Sequence, residues 1–548
     1  MKKNSIRAAA VCILLALWLP AFTGCEDSVN AILGVNAPEK KPPTTTASQT
    51  AYLPMERVRS LNPLRSKDED TYFIDKLIYE SLFELDESLT AVPRLVETYS
   101  YSEDGLSLTL RLKTGILWQD GETFDAEDVQ FSIESYIAYS AYHLFAKNVA
   151  NIKKVSVEKN DPAQIVLTFG SRDDTGVELL TFPVLPRHAY KNAADLWSRE
   201  EDFRPIGTGP YALAEYDPYF QLVLQGNACY HGAKVPENQL VFQILSSRSD
   251  ALNMLDVNAV SYAVSREGDR NTIYRNPNVA VKSFISNEAV WLGYNFSKEI
   301  FRKKKVRQAI AYAIDNAEIL ETCFFNSGIV NDSLYFPGFL GVGEAADPYA
   351  QDSAAAKTLL AESGFSDFDQ DGFFEYYTTG PDDPGTWQKI SLHILIPESD
   401  PSRVATGQII QTALNRAGLD CELDVRDTEA YETALAESDF DMYVGGGTMN
   451  ETYDLRPLLH SAYQNPAGYA NRSLDELLDR FRQAHAPEDR QGIFTEIRAL
   501  LTEELPYYCL LYKTYGAVAS PALEGVMSPG FNHIYRSCET WSCVYTQE

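Results

Sequence analysis

Leu106, Leu108, Leu110 and Leu112 alternate with Ser107, Thr109 and Arg111, the two-residue period of a strand with one buried face. Asp120-Gly121 then marks a turn, and Asp125 stands as an N-cap before Ala126-Glu127-Asp128, which puts acids in a first helical turn. Val129, Ile133, Tyr136 and Ile137 continue as one helical stripe. Further along, Ile390, Leu392, Ile394 and Ile396 alternate as a strand. Val404, Ile409, Ile410, Ala413, Leu414 and Ala417 form an amphipathic helix ending at Gly418, and Leu419, Cys421, Leu423 and Val425 alternate again. Strand, helix and strand at this spacing predict a βαβ unit with a parallel pair. Both periods recur along the chain, with no short internal repeat, so an α/β fold of mixed sheets with flanking helices is expected.

The start of the chain follows a different pattern. Lys2, Lys3 and Arg7 precede an apolar run at residues 8–19 (AAAVCILLALWL) that Pro20 ends. Twelve residues are too few to span a bilayer and suit a signal-peptide core. Phe22-Thr23-Gly24-Cys25 resembles a bacterial lipobox, which makes residues 1–24 a cleaved lipoprotein signal and Cys25 the lipidation site. Residues 25–50, with Pro42-Pro43 and Thr44 to Thr46, read as a flexible tether that holds a body near a membrane.

Composition narrows the possibilities. At 548 residues the chain has length for three or four domains or one multi-lobed body. Hydrophobic residues at 45% and charged residues at 23% exclude wholesale disorder. Lys+Arg of 47 against Asp+Glu of 77 gives a net charge of −30, which repels a phosphate backbone and excludes nucleic acid as partner. A mean hydropathy of −0.25 excludes a polytopic membrane protein. The 32 Tyr suit a large core or a cleft gripping organic ligands. Beyond Cys12 and Cys25, six cysteines remain. Cys538 and Cys543 are close enough in sequence to pair, and scattered free thiols are the alternative.

Asp367, Asp369 and Asp371 alternate before Gly372, with Glu375 following, like the start of a calcium loop. The twelfth position, where an EF-hand needs a bidentate acid, is Thr378, so the loop is either a structural Ca2+ site of another kind or a solvated turn. The basic run Lys303 to Lys305 reads as a solvated helix face. No H-E-x-x-H, G-x-S-x-G or Walker A pattern occurs.

Several segments, in order, resemble the family 5 extracellular solute-binding proteins, the peptide- and nickel-type receptors of ABC importers. They begin with Leu61-Asn62-Pro63, Ile78-Tyr79-Glu80-Ser81-Leu82 and Val92-Pro93-Arg94-Leu95-Val96-Glu97. Trp118 to Val129 (WQDGETFDAEDV) follows, then Gly207-Thr208-Gly209-Pro210-Tyr211 and Val306-Arg307-Gln308-Ala309-Ile310 with Ala313-Ile314-Asp315. Leu474-Asp475-Glu476-Leu477-Leu478 and Leu505-Pro506-Tyr507-Tyr508 complete the set, so the similarity spans roughly residues 52–515.

The resemblance implies a two-lobed, periplasmic-binding-protein-like fold of the large class. Its first lobe would span 51–285 with an inserted subdomain at about 73–206, its second lobe 286–504, and residues 505–548 would return to the first lobe. It implies a monomeric, non-catalytic receptor, lipid-anchored on the extracytoplasmic face of the cell membrane. Such a receptor closes on a small molecule or, in the favoured reading, an oligopeptide, and delivers it to an ABC permease and ATPase. No cofactor is implied. Candidate ligand contacts are Arg65, Ser66 and Asp68 in the first lobe, Trp291, Tyr294 and Asn295 near the hinge, and Thr448, Met449, Asn450, Glu451 and Tyr453 in the second lobe. Many members hold the peptide amino group with an Asp in a W-x-x-D segment. Residues 441–454 lack that pattern, leaving Asn450, Glu451 or Asp454 to take the role. The alternative from another class is a secreted hydrolase acting on sugars or peptides, because 77 acids make chance carboxylate pairs inevitable.

Overall fold

The computed structural model describes residues 44–48, 50–200, 203–233, 235, 238–266, 278–343, 346–378 and 385–547. The expected signal (1–24), Cys25 and the tether up to residue 43 lie outside the described residues. Within the expected tether, Thr44–Ser48 is a strand, as a run of β-branched threonines favours. The body comprises residues 49–543.

Three sheets organise the body. The first runs in the order Thr50–Met55, Gln239–Ile244, Gln221–Gly226, Tyr211–Asp217. The second is antiparallel, in the order Val96–Tyr101, Ser107–Leu112, Asp161–Phe169, Ile152–Glu158. Its Leu108, Leu110 and Leu112 are buried, as their alternation predicts. Asp125 caps the next helix, Ala126–Ala138, accepting from Glu127 N at 2.8 Å, and Asp128 returns the bond to Asp125 N at 3.0 Å, a capping box. Val129, Ile133 and Tyr136 face the core. Ile137, at the stripe's edge, is 42% exposed.

The third and largest sheet contains the βαβ unit. Ser391–Pro397 pairs in parallel with Asp420–Arg426, and helix Pro401–Ala417 connects them, closed by Gly418 at φ 94°. Met442–Thr448 joins the same sheet and pairs with one end of a 15-residue strand, Ala280–Tyr294. That strand runs antiparallel to Tyr507–Ala519 along nearly its whole length. At the other end of the pair sits Tyr262–Ser265, which bonds the stretch from Gly516 to Ala519. Two long strands therefore carry the chain from one half of the body to the other. Their register shifts between Ile285 and Ala289 and again between Val290 and Trp291. At the first shift Ser286 Oγ donates to Lys513 O at 2.9 Å, satisfying a carbonyl the ladder leaves open.

Gly207-Thr208-Gly209 is tight for a reason other than turn dihedrals, since neither glycine has a positive φ. A Cβ on Gly207 would lie 1.8 Å from Ile78 O, and Gly209 N donates to that same carbonyl at 2.9 Å. Gln119 of the WQDG segment bridges the two, giving hydrogen bonds to Tyr211 O and accepting one from Gly207 N. All six described cysteines after the signal are free. Cys538 and Cys543 do not pair, and Cys543 Sγ instead lies 3.4 Å from Ser261 Oγ.

Candidate functional site

Helix Glu69–Ile78 has two unlike faces. Phe73, Ile74, Leu77 and Ile78 are core, while Tyr72, Asp75, Lys76 and Tyr79 recur at helical spacing on the side lining a cavity of about 530 Å3. That volume falls within the roughly 300–1,000 Å3 of small-ligand sites. The remaining wall comes from segments 80–94, 210–233 and 533–539 together with Phe145, Thr181 and Pro183, the three segments brought together by the tight 207–209 crossing and by the chain's C-terminal stretch.

The lining carries both signs of charge. Glu80 is 5% exposed. Its Oε1 lies 3.2 Å from Arg94 Nε, and its Oε2 lies 2.7 Å from His231 Nε2. Arg94 also donates to Tyr230 Oη at 2.8 Å. Burial pushes the Asp75 carboxyl well above its ordinary value, which makes Asp75 receptive to a proton or a cation. Burial, with the charges of Lys76, Arg536 and Arg94, holds the His533 imidazole well below its usual range. The Tyr79 hydroxyl is buried without a hydrogen-bond partner.

Tyr72 links the cavity to the segment that follows strand Met442–Thr448. Its hydroxyl donates to Glu451, and Lys76 Nζ lies 4.8 Å from its ring centroid. Burial and the neighbouring Glu451 carboxylate raise the phenol well above its ordinary value, so at neutral pH it stays a donor. None of the eleven side chains expected to touch ligand belongs to the cavity wall, and Glu451 reaches it at one remove, through Tyr72.

The other ten have neighbours of their own. Arg65 stacks on Trp197, 4.4 Å from the ring, and pairs with Glu200. Ser66 Oγ accepts from Asp68 N, and Asp68 accepts from Arg59 N. Trp291, Tyr294 and Asn295 point into the large core: Trp291 Nε1 is 3.4 Å from Tyr443 Oη, Tyr294 packs on Phe301, and Asn295 Nδ2 donates to Ser438 O and Phe440 O. Both faces of their strand are covered, so aromatic residues there pack the interior. Thr448 ends its strand opposite Glu288, and Met449 exchanges hydrogen bonds with Asn287. Asn450 Oδ1 accepts from Thr452 Oγ1, and Tyr453 is buried against Phe336 and Phe339.

Tyr72, Asp75, Lys76, Glu80, Arg94 and His533 are the residues the sequence reading missed. The signal for the first three was a polar stripe, with an Asp at its centre, on a helix whose other face is apolar. His533 had none. Of the four acids named for a cation, Asp367, Asp369 and Glu375 come together, with ligand oxygens within 4.8 Å of one another. Asp371 turns aside to Lys389.

A second junction lies away from the cavity. Asp174 accepts from Arg482 Nε at 2.8 Å and from Arg456 Nη2 at 3.0 Å, and Glu178 pairs with Arg490 at 2.9 Å. His485 stacks on Tyr101 at 3.6 Å and lies 2.7 Å from Thr175 Oγ1.

Comparisons with known proteins agree with the motifs. The family described as bacterial extracellular solute-binding proteins, family 5 Middle, matches residues 90–469. The oligopeptide-binding protein AppA of Bacillus subtilis (strain 168) is 22% identical over 98% of this chain and 99% of its own length. The glutathione-binding protein GsiB of Escherichia coli (strain K12) is 23% identical over 85% of this chain and 89% of its own. Among solved structures, a nickel ABC transporter protein from Bacillus halodurans superposes with a TM-score of 0.75 at 18% identity, covering 91% of this chain and all of that one. The family match spans more than half of the sequence and the fold likeness nearly all of it: the chain belongs to the family 5 bacterial extracellular solute-binding proteins.

Proposed function

We propose that the cavity beside helix Glu69–Ile78 is where this receptor takes its solute, and that the solute is a short peptide bound for an ABC importer. The supporting observation is the cavity itself: acids and cations share one wall, and one lining residue, Tyr72, is tied to Glu451 in the segment that follows strand Met442–Thr448. A zwitterionic chain suits such a wall. Asp75 and Glu80 would face its amino group, and Arg94 and Arg536 its carboxylate. The roles of AppA and GsiB, named for oligopeptide and glutathione, favour the same ligand class. Binding without turnover fits a family of transport receptors. A lipid on Cys25, a monomeric body and an extracytoplasmic membrane-held position complete the reading. Among the described residues no helix is long and apolar enough to cross a membrane. We place the lobe boundaries as the motifs imply, at 51–285 with an insertion at about 73–206, at 286–504 and at 505–548.

Calorimetry with tri- and tetrapeptides over a series of pH values tests the reading. An ionised Asp75 attracts an ammonium group, and its carboxyl value is raised, so affinity for free-amine peptides should climb as pH rises through that value. Asp75→Asn should flatten the climb and weaken binding about tenfold, the effect of losing one charge-assisted hydrogen bond. Equal affinity for free and N-acetylated peptides at every pH would remove Asp75 from the site.

A further inference from the structure

We propose that the loop from Asp367 to Glu375 is a divalent cation site of the calcium type, built by the carboxylates of Asp367, Asp369 and Glu375. It joins two short antiparallel strands, Phe365–Ser366 and Glu375–Thr378, in a three-stranded sheet completed by Thr386–Lys389. Gln370 at φ 63° and Gly372 at φ 96° coil the chain back on itself, so acids spaced two apart converge.

Convergence of acids alone would not mark a site. What distinguishes this loop is two oxygens withdrawn from water with nothing to satisfy them. Glu375 is 4% exposed. Its Oε2 accepts from Phe368 N at 2.7 Å, and its Oε1 has no hydrogen-bond partner. Asp367 Oδ1 is shielded in the same way and equally without a donor. Ligand oxygens of these two residues and of Asp369 lie within 4.8 Å of one another. Carboxylates gathered this closely repel one another, and burying their oxygens without compensation is costly. A cation between them removes both penalties.

The donor set is all oxygen, which suits a hard ion and not zinc or copper. Three carboxylates leave room for loop carbonyls and water in the six to eight positions Ca2+ takes, whereas Mg2+ demands a stricter octahedron. Lys389 already acts as a partial substitute. Its ammonium lies 2.9 Å from Asp369 and contacts Asp371, yet leaves Asp367 and Glu375 unmet. At 61% side-chain exposure it is free to swing away when a divalent ion enters, releasing Asp371 toward the loop. The loop shares no residue with the peptide cavity, so its cation chemistry is read independently of ligand binding.

Trp387 provides the probe. Its ring stacks on Phe368 at 5.7 Å, inside sensitising distance of an ion in the loop. Purified full-length mature protein titrated with Tb3+ under tryptophan excitation should show saturable emission that Ca2+ displaces. Glu375→Gln and Asp367→Asn should each weaken Ca2+ competition at least tenfold, and Lys389→Met, which keeps all three carboxylates, should tighten it. If Glu375→Gln fails to fold, Asp369→Asn, altering a half-exposed carboxylate, carries the same tenfold expectation. Absence of Ca2+-displaceable emission, unchanged competition in the carboxylate variants, or weaker binding in Lys389→Met would overturn the proposal.

Discussion

Gly207 touches a backbone carbonyl that no larger residue could approach. A single methyl there would sit 1.8 Å from Ile78 O, so Gly207→Ala must push the segment away from the end of helix Glu69–Ile78. Overpacking of this kind costs about 3 kcal/mol, read as a lower urea midpoint, and because the same helix lines the cavity, ligand affinity should fall with it. Asp128 gives the residue scale its pH signature. Burial raises its carboxyl to about 6, against the pull of hydrogen bonds from Asp125 N, Arg187 N and Trp118 Nε1. With the folded value above the unfolded one, the native state holds a proton that the unfolded chain has released between roughly pH 4 and 6. Stability contributed at this position is therefore greatest below about pH 4 and declines, by at most about 3 kcal/mol, as pH rises to 6. Comparing urea midpoints of the parent and Asp128→Asn across pH 4 to 7 should show that slope in the parent alone.

Among the elements, the junction from 172–178 to helices Arg472–Gln483 and Pro487–Glu504 decides how firmly two parts of the body hold each other. Arg482 and Arg456 are nearly buried, at 5% and 7% side-chain exposure, and both reach Asp174. Burial raises the Glu178 carboxyl, but Arg490 and Arg482 outweigh it and leave the net value lowered. The sign is then opposite to that of Asp128. Glu178 contributes stability above its ordinary value, and that contribution is lost as acid protonates it. Asp174→Ala strands a buried guanidinium. The cost should be about 2 kcal/mol in thermal unfolding, less than for a fully buried pair because the Asp174 side chain is 38% exposed. Small-angle scattering should show a larger radius in the variant, and an unchanged radius would mean that other contacts hold the two parts together.

For the molecule as a whole, legibility followed periodicity. The βαβ unit at 391–426 and the capped helix at 126–138 were readable because one face of each meets a core, and burial imposes a period on the sequence. The family motifs were readable because they are packing features, such as Gln119 bridging Ile78 and Tyr211. The cavity was not, because its wall joins residues near 72, 230 and 535, whose nearness exists only after the chain has folded. Trp291 and Tyr294, buried among core residues, illustrate a related ambiguity: an aromatic on a central strand looks the same in sequence whether it meets a ligand or a core.

The offset between the two long strands has one more effect. Between Ile285 and Ala289 the first strand advances four positions while its partner advances two, from Thr514 to Tyr512. Side-chain direction beyond the step therefore depends on the number of residues within it. Losing any one of Ser286, Asn287 or Glu288 would invert the phase of everything downstream. Tyr294 would then fall where Gly293 stands, a position at which even one added carbon meets the Tyr443 ring at 2.2 Å. A single-codon deletion there should abolish soluble, cooperatively melting protein, although every contact within the first half would remain intact.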